Sequence, residues 1–402
     1  MLVGLDQLAR GRLHSLEKRL TEGNVAVLTH AAAVDAEGRQ TLAVLERLGV
    51  HPRVVFSPEH GLDGFAQAEE AVGTDDANVG ERRLVSLYGT TKESLTPKRE
   101  HLEGIDVLVV DLVDVGARYY TYVWTALLCA RAAADAGVHT LVLDRPNPIG
   151  GDPRLLEGRP QDRELCSFVG LEPLPIRHGM TIGEILANFL NEEDRALGPD
   201  GVLSVLPTRG WERLRTASAH GRPFVPPSPN MPSEQTCLVY PGGCLLEATN
   251  LSEGRGTTTP FQLFGAPYLD SHRFTKALGD VPGAWVRPAR FRPTFDKHQG
   301  VVCSGAMLHV TDVSRFRPVE TYLRIIATAR AEAPDDFQLL SRPYEFESEH
   351  VAFDLLTGTP EARAALLGGA SGEELARLVC PVDEEWKVRL EAAEELIQDI
   401  RA

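Results

Sequence analysis

The sequence predicts an α/β fold, with a doubly wound parallel sheet in the N-terminal part and a smaller α/β or α+β region after it. Over the first 150 residues, short apolar runs alternate with helix-patterned runs, which is typical of βαβ units. The run at 105–114 is continuously apolar and rich in β-branched residues, as expected of a central strand that is covered on both faces. Both observations favour a sheet with helices on its two faces.

The elements follow in chain order. Apolar runs predict strands at 25–30, within 53–61, and at 105–114, 139–144, 202–207 and 308–312. Helical spacing predicts helices over 1–20 (with Leu5, Leu8, Leu16 and Leu20 on or near one face), 41–49, 122–137, 180–190 and 384–400. Thr181 and Glu184 have the spacing of a capping box at the start of the fourth helix.

Two Pro-rich segments divide the chain. Residues 145–153 are dense in Pro and Gly, so we place a domain boundary there, with domains at 1–155 and 156–402. Residues 221–235 predict a long loop without regular structure, and a loop of that length in a compact protein is more often functional than incidental.

Composition excludes several classes of protein. Of 402 residues, 43% are hydrophobic and 24% charged, so the chain folds. The formal charge of −16 argues against binding to nucleic acid or anionic membranes, which need a basic surface. No window approaches the roughly 20 apolar residues of a membrane span. The N-terminus lacks a secretion signal and the six cysteines form no CxxC pair, so we expect free thiols and a cytoplasmic location.

Ionisable residues follow four successive predicted strands. In an open α/β sheet, ligands bind outside the carboxyl ends of the strands, so we expect these side chains to form a polar pocket. They are Thr29 and His30, then Glu59 and His60, then Asp111, Asp114, Arg118, Tyr120 and Tyr122, and finally Asp144, Arg145 and Asn147.

Several of these residues also have a structural interpretation. Glu59 is alternatively the cap of a helix that begins after Gly61, and Asp111 alternatively a hydrogen-bond partner of a neighbouring loop. Arg118 and Asp114, four residues apart, are alternatively a helical ion pair. His60 is a positioning residue or a proton carrier, and both interpretations stay open.

The motifs of several cofactors are absent. There is no GxGxxG after the first strand, where THAAAV stands, and no GxxxxGK[ST], so the Rossmann-like pattern lacks its dinucleotide fingerprint and we predict no cofactor. The sequence also lacks HExxH and GxSxG. A metal-dependent hydrolase remains an alternative, and its ligands would come from His30, Glu59, His60, Asp111 and Asp144.

The second half adds further polar residues. The segment EATNLSEGRGTTTP carries Glu247, Asn250, Glu253 and Arg255, with glycines that allow a tight turn. Asn230 lies in the Pro-rich loop, and His178 directly precedes the capped helix. Such donors and acceptors suit a polyhydroxylated ligand.

Eight ordered segments resemble one known family, the exo-β-N-acetylmuramidases (NamZ-like glycoside hydrolases, formerly a domain of unknown function). The segments are SPEHG (57–61), SLYG (86–89), DVGARYYTY (114–122), LDRPNPIGG (143–151), SFVG (167–170), PIRHGMTIGE (175–184), PPSPNMPS (226–233) and LLEATNLSEGRGT (245–257). The resemblance runs from about residue 24 to about residue 312. Two segments depart from the family pattern, namely Thr29–Ala33, where the family has TN-x-T/S-G, and Ala248, where it has glycine.

The resemblance implies a Rossmann-like catalytic domain, a smaller second domain that contributes loops, and an active site in the cleft between them. It implies release of N-acetylmuramic acid from non-reducing ends of peptidoglycan fragments, with muramyl sugars and muropeptides as the small-molecule substrates. A cytoplasmic enzyme would act in cell wall recycling. The resemblance places the catalytic carboxylate at Glu59 and matches the family's other motifs at Tyr120, Tyr122 and Glu247. A non-catalytic muramyl-sugar-binding protein is a further alternative, since two segments depart from the pattern.

Glycoside hydrolysis needs an acid and a second group that stabilises or attacks the oxocarbenium-like carbon. Glu59 is the predicted acid, assisted by His60, and the second role falls to Asp114, Glu247 or the substrate's own 2-acetamido group, with Tyr120 as stabiliser or nucleophile. Arg118 or Arg145 is predicted to bind the lactyl carboxylate. The predicted substrate-binding residues are His30, Asp111, Arg118, Tyr122, Asp144, Arg145, Asn147, His178, Asn230, Asn250 and Arg255.

Overall fold

A sheet of seven strands organises the first half of the chain. The structure is a computed structural model, and it describes residues 1–11, 16–67, 70, 77–79 and 82–401. The strands lie in the order β3-β4-β2-β1-β5-β6-β7, and all pair in parallel except β3, which is antiparallel to β4 at one edge. They are β1 (Val25–Thr29), β2 (Val54–Ser57), β3 (Ala77–Val79), β4 (Arg82–Ser86), β5 (Val107–Asp111), β6 (His139–Leu143) and β7 (Leu203–Leu206).

Thirteen α-helices belong to the described part. They are α1 (Gly4–Ala9), α2 (Glu17–Glu22), α3 (Thr41–Arg47), α4 (Arg99–Leu102), α5 (Tyr122–Asp135), α6 (Ile182–Glu192), α7 (Glu234–Gly243), α8 (Ser271–Leu278), α9 (Pro318–Glu332), α10 (Ala352–Thr357), α11 (Pro360–Leu367), α12 (Gly372–Val379) and α13 (Glu384–Asp399). None of the described helices is long and apolar enough to cross a bilayer.

Both faces of the sheet are buried, which explains its continuous apolar strands. Val25 and Val27 of β1 belong to a core with residues of α1, α2 and α3 on one face. Ala26 and Leu28 belong to the larger core with α5 and α6 on the other face. The predicted doubly wound α/β sheet is therefore confirmed.

A smaller antiparallel sheet lies in the second half, as predicted. Its strands are β8 (Leu263–Ala266), β9 (Ala284–Phe291) and β10 (Cys303–Val310), in the order β8-β10-β9. Helix α8 packs on this sheet and α9 packs against α7, α8 and α12. The strand predicted at 308–312 begins five residues earlier, and the sequence analysis did not predict β3, β4, β8 or β9.

Three other predictions concern the N-terminal helix, the capping box and the domain boundary. A single N-terminal helix was wrong, because α1 ends at Ala9 and Gly11 adopts φ +66°, a left-handed conformation that stops a helix. The predicted capping box is confirmed, since the Thr181 hydroxyl accepts from the Glu184 amide and the Glu184 carboxylate accepts from the Thr181 amide. β7 belongs to the large sheet although it follows residue 155, and the domain boundary at that residue stays a prediction.

Candidate active site

A cavity of about 230 Å³ lies where the first half of the chain meets loops of the second half. The loop after β2 supplies Glu59 and His60, and the segment before α5 supplies Tyr119–Thr121. The other lining residues are Gln67, Val169, Ser228, Asn230, Met231, Tyr240, Glu247, Glu253, Arg255, Phe295, Asp296, Lys297, Arg342, Tyr344 and Glu345. The predicted loop at 221–235 thus reaches the cavity through Ser228, Asn230 and Met231.

Glu59 is held at the wall of this cavity by its neighbours. Its side chain is buried, and Oε2 accepts a hydrogen bond of 2.6 Å from the Thr121 hydroxyl. Oε1 lies 4.0 Å from Nε2 of His60, which is too long for a direct hydrogen bond. Glu59 does not cap a helix after Gly61, since the chain there forms turns. The two side chains can therefore share a proton through a ligand atom or a water molecule between them.

The hydrogen bonding of His60 fixes which ring nitrogen is protonated. Nδ1 lies 2.7 Å from the carbonyl oxygen of Ala66, and because a carbonyl only accepts, Nδ1 carries the proton. In the tautomer with its proton on Nδ1, Nε2 is an acceptor directed to the Glu59 side. The backbone of His60 has φ +68°, an uncommon conformation for a side chain other than glycine. Strained backbone of this kind clusters at functional sites.

An aromatic layer lies beneath the Glu59–His60 pair. Tyr120 lines the cavity, and its ring centroid is 4.6 Å from that of Tyr122. Tyr122 lies below the cavity surface, packs edge-on against His30 at 5.0 Å, and donates a hydrogen bond to the Pro227 carbonyl oxygen. Burial raises the pKa of Tyr120 well above its ordinary value of 10, so this phenol stays protonated at neutral pH.

His30 is a buried, neutral support of this layer. Its Nε2 accepts a hydrogen bond from the Val113 amide at 3.0 Å. Burial and the charge of Arg145 lower the pKa of His30 to about 3. His30 therefore packs under the site and does not line the cavity.

Glu247 and Arg255 form an ion pair in the opposite wall. Nη2 of Arg255 lies 2.7 Å from Oε1 of Glu247, and Tyr344 donates to Oε2 at 2.6 Å. Arg255 also pairs with Glu253, whose other oxygen lies 2.7 Å from Nζ of Lys297. Both oxygens of Glu247 are thus engaged within the wall, an arrangement that shapes the cavity and leaves Glu247 little freedom to transfer a proton.

Asp114 and His178 lie close together but do not line the cavity. Oδ2 of Asp114 is 3.4 Å from Nε2 of His178 and accepts from the Gly116 amide at 3.1 Å. Because the Met180 amide donates to Nδ1 of His178, the ring proton resides on Nε2 and faces Asp114. No ion pair joins Asp114 to Arg118, so the helical-pair interpretation of these two described residues is wrong.

Arg118, which the sequence analysis considered for the lactyl carboxylate, is fully buried away from the cavity. Its guanidinium donates to the carbonyl oxygens of Arg159, Leu174 and Leu356, which tie three segments together. Its position is therefore that of a structural crosslink.

The second candidate for the lactyl carboxylate, Arg145, also lies outside the cavity. Nε and Nη2 of Arg145 bind both oxygens of Asp111, at 2.5 and 3.0 Å, and the Thr41 hydroxyl donates to the same carboxylate.

Three further predicted residues serve local structure. Oδ1 of Asp144 accepts from the Gly183 amide at the start of α6, and burial raises the pKa of Asp144 to about 7. The Asn147 amide donates to the Met180 carbonyl oxygen. Its Oδ1 lies so close to Gly116 that a Cβ added at this glycine would come within 2.4 Å of it. Asn250 bonds to the backbone of Asp336 and Gln338 and to the Tyr268 hydroxyl. These residues lie outside the cavity, whereas Asn230, which donates to Gln67, lines it.

Sequence reasoning missed Gln67, Arg342, Tyr344 and Glu345. The turn residues 342–345 lie outside the eight family segments and carry no recognisable motif, so only the folded chain brings them to the cavity.

The residues that the sequence analysis considered as metal ligands are separated by their contacts, since Asp111 pairs with Arg145 and Asp144 binds α6. Among the residues that the structure describes, no group of three or more His, Cys, Asp or Glu side chains is placed to hold a metal ion.

The chain matches known proteins over most of its length. Residues 25–235 match the family model described as exo-β-N-acetylmuramidase NamZ, N-terminal, and residues 238–393 match the C-terminal model of the same family. The chain is 40% identical over 375 residues to the peptidoglycan β-N-acetylmuramidase NamZ of Bacillus subtilis strain 168, covering 92% of this chain and 86% of the relative.

Two crystal structures of DUF1343 family proteins from Bacteroides fragilis have the same fold. One is 26% identical with a TM-score of 0.80, covering 99% of this chain and 98% of the other. The second is 25% identical with a TM-score of 0.65, covering 100% of this chain and 98% of the other. Since two family models together match most of the chain and a relative at 40% identity spans nearly all of it, this chain belongs to the exo-β-N-acetylmuramidase NamZ family.

Proposed function

We propose that this protein is an exo-acting glycoside hydrolase that releases N-acetylmuramic acid from the non-reducing end of peptidoglycan fragments, including MurNAc-GlcNAc. The observation that carries the proposal is the buried carboxyl group of Glu59 at the wall of a polar cavity, directly beside His60. At about 230 Å³, the cavity is smaller than the roughly 300–1,000 Å³ of most ligand pockets and suits one sugar ring. A site for a single terminal sugar is what exo-cleavage requires.

Glu59 acts as the general acid in this proposal. The leaving glycosidic oxygen needs a proton as the bond to the anomeric carbon breaks. The Thr121 hydrogen bond holds Oε2, and Oε1 lies on the side of His60. His60, with its acceptor nitrogen on that side, orients the attacking water, takes a proton from it and passes that proton to Glu59, which gave up its own to the leaving group.

The second group is best supplied by the substrate's own 2-acetamido oxygen. Asp114 lies outside the cavity beside His178, and both oxygens of Glu247 are engaged by Arg255 and Tyr344. Because burial keeps the Tyr120 phenol protonated, it serves as a hydrogen-bond donor to this acetamido group and not as a nucleophile. Glu247 then acts as a positioning residue of the wall.

Hydrolysis of MurNAc-β-1,4-GlcNAc, with and without EDTA, tests the proposed activity. We expect release of free N-acetylmuramic acid at the same rate in both conditions. Release that EDTA abolishes would move the assignment to a metal-dependent hydrolase. Binding of the disaccharide in calorimetry without any release would identify a non-catalytic muramyl-sugar-binding protein.

We also propose that the enzyme acts in the cytoplasm on recycled muropeptides. All six cysteines are unpaired, and four of them are buried, which fits a reducing compartment. Cell fractionation with an antibody against the chain tests the location. Recovery in the cytosolic fraction is the expected result, and recovery in the culture medium or at the cell wall would contradict it.

A further inference from the structure

The three Lys and Arg side chains that line the cavity differ in their partners. Arg255 pairs with Glu247 and Glu253, and Lys297 pairs with Glu253 and donates to the carbonyl oxygens of Leu246 and Thr249. Both cations are thus neutralised within the wall. Arg342 lines the same cavity, is exposed, and makes no hydrogen bond or ion pair with any residue in the described ranges.

The position of Arg342 is fixed by anchors on both sides. Two residues before it, the Leu340 amide donates to the Ala248 carbonyl oxygen at 2.9 Å. Two residues after it, the Tyr344 hydroxyl donates to Glu247 at 2.6 Å. Arg342 therefore sits on a short span whose two ends are tied to the Glu247 segment, and this span lines the cavity.

A strained turn strengthens this anchoring. Tyr344 and Glu347 exchange two backbone hydrogen bonds of 2.9 Å across a two-residue turn, in which Glu345 and Phe346 have φ +47° and +65°. Side chains other than Gly, Asn and Asp rarely occupy such positions, and the strain must be offset by contacts. Phe346 packs against Tyr88 at 5.2 Å, and the Tyr88 hydroxyl donates to Glu345. The turn is thus held against Tyr88 in the first half of the chain, which also supplies Glu59 and His60.

We propose that Arg342 determines substrate specificity by binding the carboxylate of an acidic N-acetylhexosamine, the lactyl group of the terminal sugar. This rests on the proposed function and assigns the group that distinguishes an acidic sugar from its neutral counterpart. A guanidinium presents two parallel N–H donors that match the two oxygens of a carboxylate. The chain carries a net charge of −16, so an anionic ligand meets an unfavourable field unless a local cation offsets it.

The test compares two substrates, an aryl β-MurNAc glycoside and the same glycoside with its lactyl carboxylate converted to the amide. In R342Q we expect kcat/KM for the acidic substrate to fall by roughly 10- to 100-fold, mainly through KM, because a charge-assisted hydrogen bond to the substrate is lost. The amide substrate, which cannot form the ion pair, should change by less than about 3-fold. R342K, which keeps the charge but not the fork, should lie between.

The matched control is R287Q. Arg287 is an exposed arginine of β9 that bonds to His309 and Met307 and does not line the cavity, so its loss should leave both substrates unaffected. An equal loss on acid and amide substrates in R342Q, or no loss on either, would overturn the proposal.

Calorimetric binding of free N-acetylmuramic acid to wild type and R342Q separates the proposed hydrolase activity from the proposed role of Arg342. A wild-type protein that binds the sugar without turnover would defeat the proposed function alone. Weaker binding by R342Q in that case would still support the role of Arg342, and unchanged binding would refute it.

Discussion

The Thr121 hydroxyl donates a 2.6 Å hydrogen bond to Oε2 of Glu59, across 62 residues of sequence. Glu59 follows β2, and Thr121 precedes α5 in the connection after β5; these two strands flank β1 in the sheet. Parallel strands bring the loops at their carboxyl ends to one edge, so the topology creates this contact. Thr121 occupies the N-cap position of α5 but its side chain makes no capping hydrogen bond, because the hydroxyl serves Glu59 instead.

Replacing Thr121 tests whether this contact positions the acid. T121V keeps the shape of the side chain and removes the donor, so we expect kcat to fall about 10- to 100-fold, because the hydrogen bond that positions the Glu59 carboxyl is lost. T121S keeps the hydroxyl and should remain close to wild type. Steady-state kinetics on MurNAc-GlcNAc measures both. Wild-type kcat in T121V would show that Glu59 needs no such support.

His60 combines a chemical role with an unusual backbone conformation. H60N removes the ring while asparagine accepts a positive φ, so we expect the fold to persist and kcat to fall about 10²- to 10⁴-fold, the usual contribution of a proton-transferring group. H51N, at an exposed histidine, serves as the control. The measurement is kcat together with the thermal midpoint, and a folded H60N of unchanged kcat would remove His60 from the mechanism.

Glu247 should affect stability more than chemistry. E247Q disrupts the bonds from Arg255 and Tyr344, and breaking a largely buried ion pair costs about 3 kcal/mol or more of unfolding free energy. Urea unfolding measures this loss, and kinetics on the folded fraction should show a kcat reduced by less than about 10-fold. If E247Q kept full stability and lost turnover, Glu247 would be catalytic and the assignment given above would be incorrect.

The large sheet was predictable from sequence because its strands are buried on both faces. An apolar run such as 105–114 predicts a strand that is buried on both faces, because such runs alternate with helix-patterned runs in this chain. Edge and antiparallel strands were missed, since β9, for example, carries Arg287, Pro288 and Arg290 and is only partly buried. It pairs antiparallel with β10, the next strand along the chain, across the connection at 292–302.

The site was only partly predictable, because the sequence does not show which ionisable residues pair with one another in the folded chain. Ionisable residues after strands do meet at one edge of the sheet, but Asp111 and Arg145 neutralise each other there and are not available to a ligand. Sequence spacing cannot distinguish an arginine that donates to three carbonyl oxygens, such as Arg118, from one that lines a cavity and has no partner in the described part of the chain, such as Arg342. That distinction depends on which loops the fold brings together.

A buried acid should make stability depend on pH near neutrality. Burial raises the pKa of Glu157 from 4.5 to about 7, so between these values the folded state keeps a proton that the unfolded state releases. Stability therefore falls as pH rises through this window, and the loss is complete above about pH 7. E157Q cannot ionise, so its unfolding free energy should fall less than that of wild type between pH 5 and pH 7.5.

Urea unfolding at the two pH values measures this difference, with E103Q, at an exposed glutamate, as the control. The same decline with pH in E157Q and wild type would show that Glu157 is not the group responsible.

The most direct test of the account compares E59Q with wild type on two substrates, MurNAc-GlcNAc and a 2,4-dinitrophenyl β-MurNAc glycoside. A general acid is needed for the sugar leaving group and much less for the dinitrophenolate, which leaves without a proton. We predict that E59Q loses at least about 10³-fold in kcat/KM on the disaccharide and far less on the activated glycoside, with an unchanged thermal midpoint. Wild-type hydrolysis of the disaccharide by E59Q would contradict the assignment of Glu59 as the catalytic acid.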